Sequence, residues 1–226
     1  MELKLFYKVV QSLATPGVLE ECLLKKALKT AKTEKNPAAN KQLVSSEKFI
    51  SSCRRLLDKG DRDWVVALHI LLACGRRRRD LSRIEPDNVS KLSATSYFVS
   101  VPRDKKNAGR VTFIIDFTLI PNGWSVLEAD ELACSFDDIV QSQTSGPFRF
   151  LQSSSASRHI GFGSHSLRNI KTIQLTLEGK TEQQIQDYVG WRDSRSVSRY
   201  RILTKEEVCR FGSLEEVIQR VNGLVV

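Results

Sequence analysis

Three polar stretches of this chain combine residue types that could act on an anion. The first is Gly75–Leu81, where four consecutive arginines precede an aspartate. The second is Ser164–Arg168, in which His165 and Arg168 are three residues apart and share one face of a helix. The third is Gly190–Tyr200, which ends in an arginine and a tyrosine. Guanidinium groups bind phosphate oxygens in pairs, and a tyrosine hydroxyl can serve as a nucleophile. Together the stretches suit chemistry at a phosphate group.

Each stretch, taken singly, also has an interpretation without chemistry. A run of arginines is commonly a solvated face, and a histidine at a helix start is commonly a cap or a surface residue. A tyrosine that follows an arginine is commonly half-buried packing. The order and the spacing of the three stretches favour one shared site.

The elements around these stretches must position them. An apolar run at 64–74 predicts a central buried helix directly before the arginines, and an amphipathic helix at 47–58 precedes it. Period-two segments at 97–102 and 110–115 predict a β-hairpin with a basic tip. Further predicted segments are a Ser- and Gly-rich loop at 142–164 and helices at 124–141, 166–177, 181–188, 194–203 and 214–221. The predicted fold class is therefore mostly α with a small antiparallel β-sheet (α+β).

The charge balance indicates a polyanionic partner. The 226 residues include 35 Lys or Arg against 26 Asp or Glu, a net charge of +9, which favours nucleic acid first and a membrane surface second. Five cysteines without a C-x-x-C pair argue against a disulfide scaffold and a zinc ribbon, and three histidines without H-E-x-x-H argue against a dedicated metal enzyme. No apolar run approaches the roughly 20 residues of a membrane span, so we expect a soluble, intracellular chain.

In order and spacing, these residues resemble the catalytic domain of the tyrosine recombinases, the phage-integrase family, over roughly residues 46–204. The family's first box, Gly-x-Arg-x-x-[Glu/Asp]-Leu, matches Gly75–Leu81. It assigns the first catalytic arginine to Arg77 and the supporting acid to Asp80. The second box, His-x-Leu-Arg, matches His165–Arg168.

The remaining family positions are a hairpin lysine, a Gly-[His/Trp] pair and a tyrosine ten residues beyond that glycine. Gly190 and Trp191 match the pair, and Tyr200 stands at the position of the nucleophile. For the lysine, Lys105 is the best placed and Lys106 is a close rival, because one sequence does not settle the length of the turn.

The resemblance implies a site-specific DNA recombinase or integrase that cleaves and rejoins duplex DNA through a covalent 3′-phosphotyrosyl intermediate, with no metal, ATP or other cofactor. The two arginines would clamp the scissile phosphate from the mouth of a cleft, outside the core, and the tryptophan would add a hydrogen bond. The tyrosine would attack phosphorus with the histidine as its proton partner, and the lysine would protonate the leaving 5′ oxygen. The implied catalytic residues are Arg77, Lys105, His165, Arg168, Trp191 and Tyr200, with Asp80 and Lys106 in support.

Two segments are predicted along the chain. Residues 1–45 are a basic helical arm or linker remnant, and residues 46–226 are the catalytic domain with a C-terminal docking tail. The resemblance implies double-stranded DNA as the partner, and we expect no membrane partner. The apolar end of the tail at 206–226 suits docking on a neighbouring subunit of a homo-multimer, a tetramer on DNA. Packing of the tail on its own domain is the alternative.

Three other functions compete with this interpretation. A type IB topoisomerase would use the same residue set to relax supercoils as a monomer without choice of site. A DNA-binding protein that has lost catalysis would need the charge but not the tyrosine and the lysine. A structural or membrane-surface protein would be explained by charge alone, and it would leave the order of the arginines and the hairpin unexplained.

Overall fold

The structure is a computed structural model that describes residues 43–103, 109–142, 146–191, 208 and 210–223. The described residues are mostly helical and carry one three-stranded antiparallel sheet, as the sequence predicts. The α-helices are α1 (Ser46–Asp58), α2 (Arg62–Cys74), α3 (Arg78–Leu81), α4 (Ala129–Ser142), α5 (Ala156–Ile160), α6 (His165–Leu177), α7 (Glu182–Val189) and α8 (Leu214–Gly223). The strands are β1 (Val89–Lys91), β2 (Ser96–Pro102) and β3 (Arg110–Asp116), and short 3₁₀ turns lie at Pro86–Asn88, Phe117–Leu119 and Arg149–Gln152.

Helix α2 is the centre of the fold. Every residue from Val65 to Cys74 is buried, so the prediction of a helix that is apolar on all sides is confirmed. Helices α1, α4 and α6 and strand β3 all pack against it. The helix contains His69, which is fully buried and donates from Nδ1 to the carbonyl of Val65 at 2.7 Å. Packing around α2 therefore sets the place of the residues that follow it.

Helix α1 covers α2 with one apolar face. Phe49, Cys53 and Leu56 are buried on that face, in agreement with the predicted amphipathic pattern. The hydroxyl of Ser45 accepts the backbone N–H of Lys48 at 3.3 Å and so caps the first turn.

The sheet has the order β1-β2-β3, and its hairpin pairs Tyr97 with Ile115 and Val99 with Phe113. These four side chains are buried, because alternate residues of a strand point to the same face. At the hairpin base the N–H of Arg103 donates to the carbonyl of Gly109 at 3.0 Å. The predicted hairpin is confirmed. Strand β1 was not predicted, since three residues are too few to show an alternating pattern.

Two segments differ from the prediction. The segment predicted as a loop at 142–164 contains the Arg149–Gln152 turn and α5, because Leu151, Ala156 and Ile160 are buried there and tertiary packing outweighs the local composition. Helix α4 begins later than predicted, since the N–H of Trp124 closes a turn onto the carbonyl of Pro121 at 3.0 Å and the indole is buried.

The C-terminal helices agree with the predicted pattern. Thr181 and Gln184 form the predicted capping box at the start of α7. Helix α8 buries Val217, Ile218 and Val221 and packs on α6 of the same chain. This corresponds to the alternative in which the tail packs on its own domain. Among the described residues, no helix combines the length and apolar character that crossing a membrane would require.

Candidate active site

Helix α2 ends at Gly75, and this glycine sets the path of the arginine run. Gly75 has φ of +61°, a conformation that favours glycine. A Cβ at this position would lie 3.1 Å from Cγ of Lys171. The carbonyl oxygen of Gly75 accepts an N–H from Nη1 of Arg168 at 3.0 Å. The first two polar stretches of the sequence therefore meet at this one residue.

The two arginines that follow Gly75 have opposite environments. Arg76 is buried, with 7% of its surface exposed, whereas Arg77 is exposed and stands before α3. The four arginines are identical in type, so composition alone does not distinguish them. The resemblance selected Arg77, and in the structure Arg77 is exposed while Arg76 is buried.

Asp80 supports the backbone at Arg77. Its Oδ2 accepts the N–H of Arg77 at 3.3 Å, and its side chain is buried. This contact orients the segment that carries the exposed arginine.

Arg168 lies inside the protein, with 1% of its surface exposed. The expectation that it sits at the mouth of a cleft, outside the core, is wrong. The cause is the position of α6, which packs directly against α2. The guanidinium carbon of Arg168 lies 5.2 Å from the ring centroid of Trp191, a cation–π arrangement.

Trp191 joins the third polar stretch to the other two. It follows Gly190, which ends α7 in a left-handed conformation, and it is buried in a small apolar cluster with Leu175, Ile185 and Val189. Its indole nitrogen is buried. Trp191 therefore supports the guanidinium of Arg168 with its ring face.

His165 is the first residue of α6 and is exposed. Partial desolvation lowers the pKa of its imidazole, and the positive charges of Arg168, Arg77 and Arg78 lower this pKa further. This shift favours the neutral form of the ring, which can accept a proton. The same electrostatic coupling joins His165 to arginines of both boxes.

Lys171 is a buried cation that the sequence analysis missed. Its Nζ donates to the carbonyl of Leu119 at 2.9 Å and to Oε1 of Gln174 at 3.1 Å. Burial lowers the pKa of this amine to about 8. Its stem packs beneath Gly75. A lysine within a helical pattern is ordinarily a surface residue, so no sequence signal marked it.

An open cleft of about 690 Å³ lies beside these residues. Asp80 and Trp191 line it. The cleft is also lined by six arginines, which are Arg76, Arg77, Arg79, Arg83, Arg103 and Arg110. Such a concentration of guanidinium groups suits a polyanion. Five of these arginines, Arg76, Arg79, Arg83, Arg103 and Arg110, had no role assigned from the sequence, although two of them, Arg103 and Arg110, flank the basic hairpin tip.

Five of the predicted site residues are brought to one region of the described structure, namely Arg77, Asp80, His165, Arg168 and Trp191. Lys105, Lys106 and Tyr200 lie outside the described residues, as do most of the predicted N-terminal arm and the predicted helix at 194–203. Within the described ranges, no three His, Cys, Asp or Glu side chains form a group that could hold a metal ion.

Comparisons with known proteins gave two solved structures. No family model matches the chain, and no curated protein matches it. The post-cleavage complex of the XerH site-specific recombinase bound to palindromic difH substrate aligns with 71% of this chain and 49% of that chain, at 12% identity and a TM-score of 0.42. The pre-cleavage complex of XerH bound to difH substrate aligns with 76% of this chain and 53% of that chain, at 13% identity and a TM-score of 0.45. The chain spans about half the length of these two structures.

Proposed function

We propose that this chain is a tyrosine recombinase catalytic domain, a site-specific recombinase or integrase that cleaves and rejoins duplex DNA through a 3′-phosphotyrosyl intermediate. The observation that carries the proposal is the hydrogen bond from Arg168 to the carbonyl of Gly75. It joins the His-x-Leu-Arg box to the Gly-x-Arg box, which are far apart in the chain. Two arginines that share a single phosphate require that these boxes meet.

The electrostatics of the cleft support this chemistry. Cleavage of a phosphodiester builds negative charge on the oxygens around phosphorus, and preorganised guanidinium groups stabilise that charge. Each donor of this kind contributes roughly 10²- to 10³-fold to the rate in other enzymes. Arg77 on the cleft wall and Arg168 on the Trp191 ring are the two donors of the proposal.

The proposed reaction conserves the bond energy of the phosphodiester. Tyr200 Oη attacks phosphorus while the bond from phosphorus to the 5′ oxygen breaks. The neutral imidazole of His165 accepts the phenolic proton, and Lys105 donates a proton to the leaving 5′ oxygen. A 5′-hydroxyl of another strand then attacks the phosphotyrosine and releases Tyr200. The exchange of strands needs no ATP, because one phosphoester replaces another.

A nicked suicide duplex tests the proposal directly. The scissile strand carries a nick close to the cleavage position, so that the short 5′ product diffuses away and the covalent adduct accumulates. We expect wild-type protein to form an adduct that survives denaturing electrophoresis and that is absent in Tyr200→Phe. DNA binding without any adduct on a panel of nicked duplexes would instead identify a binding protein without catalysis.

A second assay separates recombination from relaxation. We propose that the chain acts as a homo-multimer on DNA, because strand exchange needs more than one active tyrosine. Sedimentation of the protein on a duplex that yields the adduct should show two or more copies per DNA. Relaxation of supercoiled plasmid by a monomer, without preference for sequence, would favour a topoisomerase.

A further inference from the structure

Arg76 lies between two elements of the cleft wall. Its Nη2 donates to the carbonyl of Thr112 on β3 at 3.1 Å and to the carbonyl of Asp187 in α7 at 3.3 Å. Its guanidinium carbon is 5.4 Å from the ring centroid of Phe113. A planar guanidinium reaches two carbonyls from different elements in this way, whereas an ammonium group is a single point charge. Arg76 therefore ties the returning strand of the hairpin to the last turn of α7.

The guanidinium also occupies the space beside Gly190. Gly190 has φ of +75°, and a Cβ there would lie 2.7 Å from Cζ of Arg76 and closer still to its Nη1. Although an arginine is flexible, this one would lose its bonds to Thr112 and Asp187 if it moved. The guanidinium of Arg76 can therefore occupy this position only because residue 190 has no side chain.

The turn at Gly190 sets the position of Trp191. The N–H groups of Gly190 and Trp191 both donate to the carbonyl of Gln186, at 2.8 and 3.0 Å. Trp191 then places its ring beneath Arg168. A displacement of the turn would move the ring and the guanidinium that rests on it.

We propose that Arg76 is a positioning residue that locks the Gly190–Trp191 turn to β3 and thereby holds Trp191 under Arg168. Its part in DNA cleavage rests on the proposed function, whereas its effect on the turn does not. Arg76 thus acts through Trp191 and Arg168, while the neighbouring Arg77 faces the cleft.

Fluorine NMR of protein labelled with 5-fluorotryptophan tests the effect on the turn. The three tryptophans, Trp64, Trp124 and Trp191, give three resonances, and Trp191→Phe assigns the relevant one. We expect Arg76→Ala to shift or broaden the Trp191 resonance and to leave the other two unchanged. Arg54→Ala removes the same charge from an exposed position of α1 and should change none of them. An unchanged Trp191 resonance, or an equal change in all three, would overturn the proposal.

A double-mutant cycle tests the same contact by substitution of Gly190, and it remains informative if one variant is unstable. Gly190→Ala should lower the melting temperature of the wild-type chain and shift the Trp191 resonance. In the Arg76→Ala background the same glycine substitution should lower the melting temperature less, because the clashing guanidinium is gone. Melting shifts that simply add would show that Arg76 and Gly190 do not constrain each other.

Single-turnover cleavage of the nicked duplex tests the consequence for catalysis. At saturating DNA we expect Arg76→Ala to form the adduct about tenfold or more slowly than Arg54→Ala, since small misplacements of catalytic groups cost large factors in rate. Equal rates in the two variants would refute the catalytic part. If wild-type protein forms no adduct, the proposed function fails, and the NMR and melting results still decide the role of Arg76.

Discussion

The guanidinium of Arg168 donates an N–H to the carbonyl oxygen of Gly75 at 3.0 Å, although the two residues are separated by 93 positions in the chain. The carbonyl points toward α6 because Gly75 turns the chain in a left-handed conformation at the end of α2. After the same turn, Arg77 lies exposed at the surface. One backbone conformation thus serves both arginines of the proposed clamp.

Arg168→Ala and Arg77→Ala should differ in their effect on the stability of the fold but not in their effect on DNA cleavage. Arg168 is buried, bonded to Gly75 and stacked on Trp191, so its loss should destabilise the fold by roughly 2–4 kcal/mol. Arg77 is exposed, and its loss should change stability by less than about 0.5 kcal/mol. Both variants should lose adduct formation. Chemical denaturation measures the first difference, and an Arg168→Ala variant as stable as wild type would contradict the buried contact.

Gly75→Ala and Gly60→Ala form a matched pair. Both glycines have positive φ, +61° and +76°, but a Cβ at Gly60 would meet nothing within 4 Å, whereas one at Gly75 would press on Lys171. Gly60→Ala should cost about 1–2 kcal/mol from backbone strain alone. Gly75→Ala should cost more and should also slow adduct formation, because it disturbs the carbonyl that binds Arg168. Equal losses of unfolding free energy in urea denaturation would mean that the Lys171 side chain moves aside without cost.

The buried His69 should make the fold sensitive to acid. Burial lowers the pKa of its imidazole from 6.5 to about 4, so the folded state disfavours the proton that the unfolded chain accepts. The stability contributed by neutral His69 is complete above pH 6.5 and is lost as the pH falls toward 4, by roughly 3 kcal/mol in total. Comparison of unfolding free energies at several pH values between wild type and His69→Leu should show this difference in slope, and identical slopes would contradict it.

The imidazole of His165 should titrate below its ordinary pKa of 6.5, because desolvation and the charges of Arg168, Arg77 and Arg78 disfavour its protonation. NMR titration of the histidine resonances measures this pKa. Arg78→Ala removes one positive neighbour outside the proposed clamp and should raise the pKa of His165 toward 6.5. A pKa that stays the same or falls in this variant would show that Arg78 is electrostatically remote.

A modified substrate should distinguish Lys105 from Lys106. Sulfur in place of the bridging 5′ oxygen gives a leaving group that needs no proton, so the loss of the general acid should be rescued by this substrate. We expect rescue of Lys105→Ala and little effect of the sulfur on Arg77→Ala, whose defect is in charge stabilisation. Rescue of Lys106→Ala instead would assign the acid to the next residue of the turn.

Much of the secondary structure was accessible from the sequence, because its signals are local. The all-apolar run predicted the buried α2, alternation predicted strands β2 and β3, and the Thr181 capping box predicted the start of α7. Strand β1 and helix α5 escaped, since short elements take their stability from tertiary contacts rather than from their own pattern. The resemblance to the tyrosine recombinase boxes selected Arg77, His165 and Arg168 as site candidates from the sequence.

The sequence by itself determined the set of helices and strands and the residue types that could act on a phosphate. It could do so because periodicity, capping and spacing are properties of residues that are close together in the chain. Only the tertiary structure decided that Arg168 is buried on Trp191 and bonded to Gly75, and that Arg76 turns inward where Arg77 turns outward. These outcomes depend on how α6 and α7 pack around the end of α2. Such packing joins residues a hundred positions apart, and no local pattern encodes it.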